Sequence, residues 1–186
     1  KLKVLLGALE RPGCPSIPKT WLVDQKCYNF SLEEAKQAFA KVTEEAKKKT
    51  YQLKVSQLGG DDVKKQAEFL ENQWKNHLGI NIEISQVEQK VFLSDLRKQP
   101  PHIFRKGVGL DRPTCLTAIE TFSSDSRQNF IDLKDSKYLS FLEELSQFSP
   151  GTESYKILCQ KSVNHLLDQY RVIPLGEMHF TMMASP

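Results

Sequence analysis

The chain has 186 residues, 39% of them hydrophobic and 26% charged, with 26 Lys and Arg against 23 Asp and Glu for a net charge of +3. That length suits one domain, with at most a small annex, and buries a core without needing metal or disulfide staples. The near-balance of interspersed charge excludes the basic excess of a general nucleic-acid binder, and no apolar run approaches the roughly 18 residues of a membrane span.

Residues 1–9 (KLKVLLGAL) read as the end of a helix whose start lies upstream, so the chain is expected to be cut from a longer one. Residues 10–28 carry Pro12, Pro15, Pro18, Cys14 and Cys27 and read as an ordered loop, in which Trp21 either lines a pocket or pins the loop to the core. Ser31-Leu32-Glu33-Glu34 is a capping box: the Ser hydroxyl accepts from the third backbone N–H and Glu34 can reach back. It opens a helix with Leu32, Ala35, Phe39 and Val42 on one face and Lys47–Lys49 at its far end, where cations suit the helix dipole.

Residues 51–58 alternate strictly and predict a strand with Tyr51, Leu53 and Val55 on one face. Gly59-Gly60 turns the chain into a helix with Val63, Ala67, Leu70 and Trp74 in one stripe, and Gly79 stands at its left-handed cap. Residues 80–87 alternate again through Ile80, Ile82 and Ile84. Strand, helix and strand make a βαβ unit with parallel strands. A short helix over 88–98 stops at Pro100-Pro101, and 102–110 reads as a strand that loosens at its glycines. Pro113 is placed in the first turn of a helix through Thr114–Phe122. Polar residues 123–135 form a loop, helices follow over 136–148 and 152–170, and 171–182 reads as a last extended segment. The sum is an α/β domain.

Most chemistry is excluded by spacing. His77, His102, His165 and His179 make no H-x-x-x-H pair, no serine stands in a G-x-S-x-G elbow, and no Walker A loop or G-x-G-x-x-G is present. No cofactor is expected. Cys159 and His165 fall on different faces of one helix, which argues against a nucleophile–base pair. Cys14 and Cys27 are candidates for a disulfide that would close a short loop and point to an oxidising compartment. Cys115 and Cys159 read as small buried hydrophobes.

The segment Arg105-Lys106-Gly107-Val108-Gly109-Leu110-Asp111 is the most informative. In a parallel sheet, ligands gather beyond the carboxyl ends of the strands, and glycines there admit a ligand backbone. A carboxylate at Asp111 can hold an ammonium group, or it can cap the helix beginning at Pro113.

The order of these elements is similar to that in a known family. A capping-box helix is followed by YQLKVSQLGG, by a helix ending in W-K-x-x-L-G-I-x-I-x-I at Trp74–Ile84, by Phe92-Leu93, by a glycine strand leaving through Asp-x-Pro, and by Val172-Ile173-Pro174-Leu175. This resembles the C-terminal lobe of the family-5 extracellular solute-binding proteins, the oligopeptide and dipeptide receptors of ABC importers.

The resemblance implies a periplasmic-binding-protein-like lobe with a mixed, mostly parallel sheet flanked by helices. Residues 1–186 would form that single lobe, with the N-terminal lobe of the same protein outside this chain. It implies binding in a cleft between lobes without catalysis, and a membrane permease as partner. It also implies a place on the periplasmic or extracellular face of the membrane, with a lipid anchor. The ligand would be a peptide, or in some relatives a metal chelate, haem or a sugar. A lobe that binds a partner protein is the further alternative. By position, Asp111 matches the acid that binds a peptide amino terminus, and Arg105 matches a basic position near peptide carboxylates. Gly107, Val108, Gly109 and Leu110 complete the segment. Val108, Gln89 and Val63 stand where relatives carry aromatic or basic residues, which implies altered side-chain pockets.

Overall fold

The computed structural model describes residues 9–10, 17–24, 27, 31–107, 109–175 and 177–178. The chain divides into two compact units, one of Phe30–Gly107 and one of Lys1–Asn29 with Val108–Pro186.

The first unit is built on a parallel sheet. Strand β2 (Thr50–Ser56) is central, with β3 (Asn81–Val87) on one side and β4 (Ile103–Phe104) on the other, both parallel to it. The alternation that predicts β2 has a physical outcome: Leu53 and Val55 are buried, while Gln52 faces solvent. Helix α3 (Gly60–Leu78) crosses from β2 to β3 and packs Val63 and Ala67 onto Leu53 and Val55, with Trp74, Ile82, Ile84 and Ile103 around them. Gly79 ends the helix at φ 70°, the left-handed conformation that glycine adopts without strain. Gly59 is required for another reason: a Cβ there would overlap the side chain of Val63. Helix α4 (Gln89–Lys98) buries Phe92 and Leu96, and the Lys54 ammonium reaches Asp95 on it at 2.7 Å.

Two expectations are corrected in this unit. The capping-box helix is two helices, α1 (Leu32–Ala40) and α2 (Glu44–Lys48). Ser31 Oγ accepts from Glu34 N as the capping box requires, but Thr43 Oγ1 accepts from Ala46 N and starts a second helix. The strand predicted over 102–110 pairs only at Ile103–Phe104, and Arg105 N adds one bond to Lys54 O before the chain reaches Gly107.

The second unit is helical. Helices α5 (Cys115–Glu120), α6 (Ser136–Ser146) and α7 (Glu153–Asp168) pack around Ile119, Tyr138, Leu145, Tyr155 and Val163, with Ile17 and Leu22 of the early loop joining the core. Each helix has a side-chain cap at its start: Thr114, Asp135 and Thr152. Strands β1 (Leu9–Glu10) and β5 (Glu177–Met178) pair antiparallel. Leu9 therefore lies in a strand, which corrects the helical reading at that position, while residues 1–8 lie outside the described residues.

Cys115 and Cys159 are both fully buried, as their apolar surroundings predict, but they are not thiols. A disulfide joins them across α5 and α7 with their Cα atoms 6.1 Å apart. The sequence carries no local sign of this pairing, because the partners stand 44 residues apart and meet only when the two helices pack. Cys27 is also disulfide-bonded, and Cys14, its expected partner, lies outside the described residues. No helix among the described residues is long and apolar enough to cross a membrane.

Candidate functional site

The glycine-rich segment falls on the boundary between the units. Arg105 and Gly107 end the sheet unit, Gly109, Leu110 and Asp111 belong to the helical unit, and Val108 lies outside the described residues. Arg105 is held by its neighbours: its Nε–H donates to Gln66 Oε1 at 3.2 Å, and Gln66 is itself buried on α3. Burial lowers the pKa of Arg105 and of Lys106. Neither Gly107 nor Gly109 has any atom within 4 Å of where a Cβ would stand, and neither takes the left-handed conformation. The fold itself therefore does not demand glycine at either position. Leu110 is half-buried against the helical core.

Asp111 stands on a cleft of about 590 Å³ within the helical unit, lined also by Arg112, Thr117, Glu120, Phe148 and Tyr155. The start of α5, the end of α6 and the turn into α7 form its walls. Asp111 does not cap α5. That role belongs to Thr114, whose Oγ1 accepts from Thr117 N at 3.3 Å, and Pro113 consequently lies before the first turn rather than in it. The Asp111 side chain is exposed and makes no hydrogen bond or ion pair with the described residues. Tyr155 is tied down from the far side: its hydroxyl accepts from Leu116 N at 2.9 Å, so its ring is fixed at the cleft wall. A second cavity of about 250 Å³ is lined by Trp21, Pro113, Gly151 and Lys156. Trp21 takes both roles expected of it, since it also packs on the helical core.

Sequence reasoning did not find Glu120, Phe148 and Lys156 as cleft residues. They come from a helix end, an interhelical turn and a helix flank, and share no spacing. A polar network away from the cleft was equally hidden. His165 Nε2 lies 2.8 Å from Asp135 Oδ2, and Gln169 Nε2 donates to the same oxygen at 2.6 Å. A carboxylate only accepts, so His165 carries its proton on Nε2 toward Asp135. The His165 ring stacks beside Tyr138 and meets Phe141 edge-on. The bond from His165, the Tyr138 amide and Gln169 together hold the Asp135 pKa well below the usual carboxylate range. This is a structural clamp between α6 and α7. Cys159, about 1.7 helical turns from His165, has no thiol to offer it, so the nucleophile pairing is closed. No group of three or more His, Cys, Asp or Glu among the described residues could hold a metal ion. His179 lies outside them.

No family model and no curated protein matches the chain. Solved structures do match it. The Escherichia coli murein tripeptide binding protein MppA superposes on 85% of the chain with a TM-score of 0.75 at 15% identity. Haemophilus influenzae OppA, in complex with the peptide RPPGFSPFR, superposes on 94% with a TM-score of 0.75 at 18% identity. The chain has the fold of ABC-transporter binding proteins. The nickel ABC transporter protein of Bacillus halodurans shares that binding-protein fold, with a TM-score of 0.73 over 93% of the chain at 15% identity. The chain spans only 32% of the length of MppA and 38% of each of the other two. The expectation of an α/β, periplasmic-binding-protein-like fold with a parallel sheet is met.

Proposed function

We propose that residues 1–186 are the C-terminal lobe of a family-5 solute-binding protein that serves an ABC importer. It binds oligopeptides or dipeptides without chemistry, with the amino terminus of the peptide held by Asp111. The observation that carries this reading is the Asp111 carboxylate, exposed on a cleft of about 590 Å³ and without a partner among the described residues, on a fold shared with peptide-binding proteins. A carboxylate with no structural bond of its own is available to a ligand ammonium, and such a charge-assisted bond contributes about 1.5–3 kcal/mol. Glycine at 107 and 109, which the fold does not require, leaves room for a ligand backbone. Arg105 is the residue of the sheet unit that the family pattern assigns to a peptide carboxylate.

In this reading the N-terminal lobe and the permease are the partners, and closure is a hinge motion driven by ligand contacts with both lobes. The protein works on the periplasmic or extracellular face of the membrane, lipid-anchored, where the Cys115–Cys159 disulfide persists. One lobe supplies one wall of the site, so the chain alone should bind peptides weakly. The test is a titration of the chain with a free dipeptide and with its N-acetyl form, for parent and Asp111→Asn. Acetylation should weaken binding to the parent about tenfold or more and should matter little to the variant. Equal binding of both peptides by the parent would refute the role of Asp111. Tight binding by the chain alone would refute the two-lobe site.

A further inference from the structure

The three strands of the sheet unit run parallel, so their first residues, Thr50, Asn81 and Ile103, lie at one end of the sheet. Helices α2, α3 and α4 lead into those strands and finish at that same end. All three carry basic residues in their last turn: Lys47 and Lys48 on α2, Lys75 and His77 on α3, Arg97 and Lys98 on α4. Lys49 follows α2 directly, and no Asp or Glu occurs in residues 46–50, 73–81 or 96–103, the segments that enter the strands. Lys48, Lys49, Lys75, Arg97 and Lys98 are all exposed. The side chains of Lys48, Lys75 and Lys98 make no ion pair or hydrogen bond with the described residues. The carboxyl end of the sheet is mixed instead, with Asp61, Asp62 and Glu88 beside Lys90, Arg105 and Lys106. The length of β2 sets the two ends about 20 Å apart, about two Debye lengths at 0.1 M salt, so each end presents its own charge. Helix dipoles do not account for the pattern. A cation in the last turn suits the partial negative charge there, yet α1, α5 and α6 have none, and α7 has only His165, which Asp135 engages.

We propose that this basic end of the sheet unit docks on an anionic bilayer surface. Charge complementarity is the argument: exposed cations from three separate connections converge at one end, with no carboxylate among those segments to neutralise them. The surroundings favour a bilayer over an acidic protein. A stable protein interface is centred on apolar or aromatic anchors. The large exposed hydrophobic side chains described in this unit, Leu58 and Val91, lie at the carboxyl end of the sheet instead. Four of the five exposed cations are Lys, a compact and hydrated charge without the planar fork by which Arg grips a fixed carboxylate. Such a cluster needs no pocket: each cation near an anionic lipid surface adds to the attraction, which fades within a Debye length. The inference concerns the sheet unit alone and is independent of Asp111 and of the ligand it holds.

The test is co-sedimentation of the chain with phosphatidylcholine vesicles, plain or carrying about 30% phosphatidylglycerol. The parent should bind the anionic vesicles at about 50 mM NaCl, release them at about 300 mM, and ignore the plain ones. Each cation removed should weaken binding about fivefold, so Lys48→Gln, Lys75→Gln and Lys98→Gln together should weaken it about a hundredfold. Lys134→Gln, Lys137→Gln and Lys161→Gln remove the same charge from exposed positions of the helical unit and should weaken it by less than about fivefold. Urea unfolding read through Trp74 should match the parent for both triple variants, which separates lost docking from a lost fold. A parent that does not bind anionic vesicles at low salt overturns the proposal, as does equal weakening by the two triple variants. Retention on immobilised polyglutamate without binding to the vesicles also overturns it and assigns the face to an acidic protein.

Discussion

Replacing Cys115 and Cys159 together by alanine should destabilise the helical unit by about 4 kcal/mol. The two sulfurs close a loop of 44 residues. In the chain-entropy account, cross-linking such a loop removes about 2.1 + 1.5R ln 44 cal/mol/K from the unfolded chain, which at 298 K is about 4 kcal/mol. Both cysteines are fully buried between α5 and α7, so the alanines leave a small void that adds to the loss rather than offsetting it. The two tryptophans separate the units: Trp21 packs on the helical core and Trp74 on the sheet core. In a Trp74→Phe background, urea unfolding followed by fluorescence reads the helical unit through Trp21. With a urea slope of about 2 kcal/mol/M, the midpoint should fall by about 2 M. A midpoint lowered by less than about 0.5 M would refute the reasoning, since the constraint would then contribute little.

Two further predictions concern single residues. Asp135→Asn should cost about 1–2 kcal/mol near neutral pH, because it weakens both the cap of α6 and the bond from His165. The folded pKa of Asp135 is depressed, so its contribution is complete above the unfolded value of about 4 and is lost as the pH falls through the folded one. The stability gap between parent and variant, measured by urea unfolding across pH, should therefore narrow below about pH 4, and a gap that stays constant would contradict the linkage. Gly59→Ala should cost about 1–3 kcal/mol by forcing its Cβ against buried Val63, whereas Gly107→Ala, with open space around it, should leave the Trp74-reported transition within about 0.5 kcal/mol of the parent.

The βαβ unit was legible because its signals are local. Alternation over residues 51–58 and 80–87 fixes which side chains point inward, and Gly79 ends α3 wherever the helix lies in space. What was hidden is what tertiary packing decides. The Cys115–Cys159 disulfide joins residues 44 apart, and the His165–Asp135 bond spans 30 positions. Neither has a spacing that a sequence window can detect. The cap of α5 was misread for a subtler reason: Asp111, Pro113 and Thr114 are each good residues for a helix start, and backbone geometry chose Thr114. That choice leaves Asp111 on the cleft without a capping role, so of the two roles the sequence left open for it the structure removes one. Gln66 stands between Lys65 and Ala67 with nothing local to mark it as buried, and its bond to Arg105 satisfies its side chain there.

The central claim is that this lobe binds a peptide through Asp111. It is tested most directly by expressing the longer protein that carries the chain, denaturing it, and identifying by mass spectrometry what leaves the cleft, for wild type and Asp111→Ala. The account predicts a set of short peptides from the wild type and their loss from the variant. Peptides retained in full by Asp111→Ala, or a metal chelate or haem in place of peptides, would contradict it.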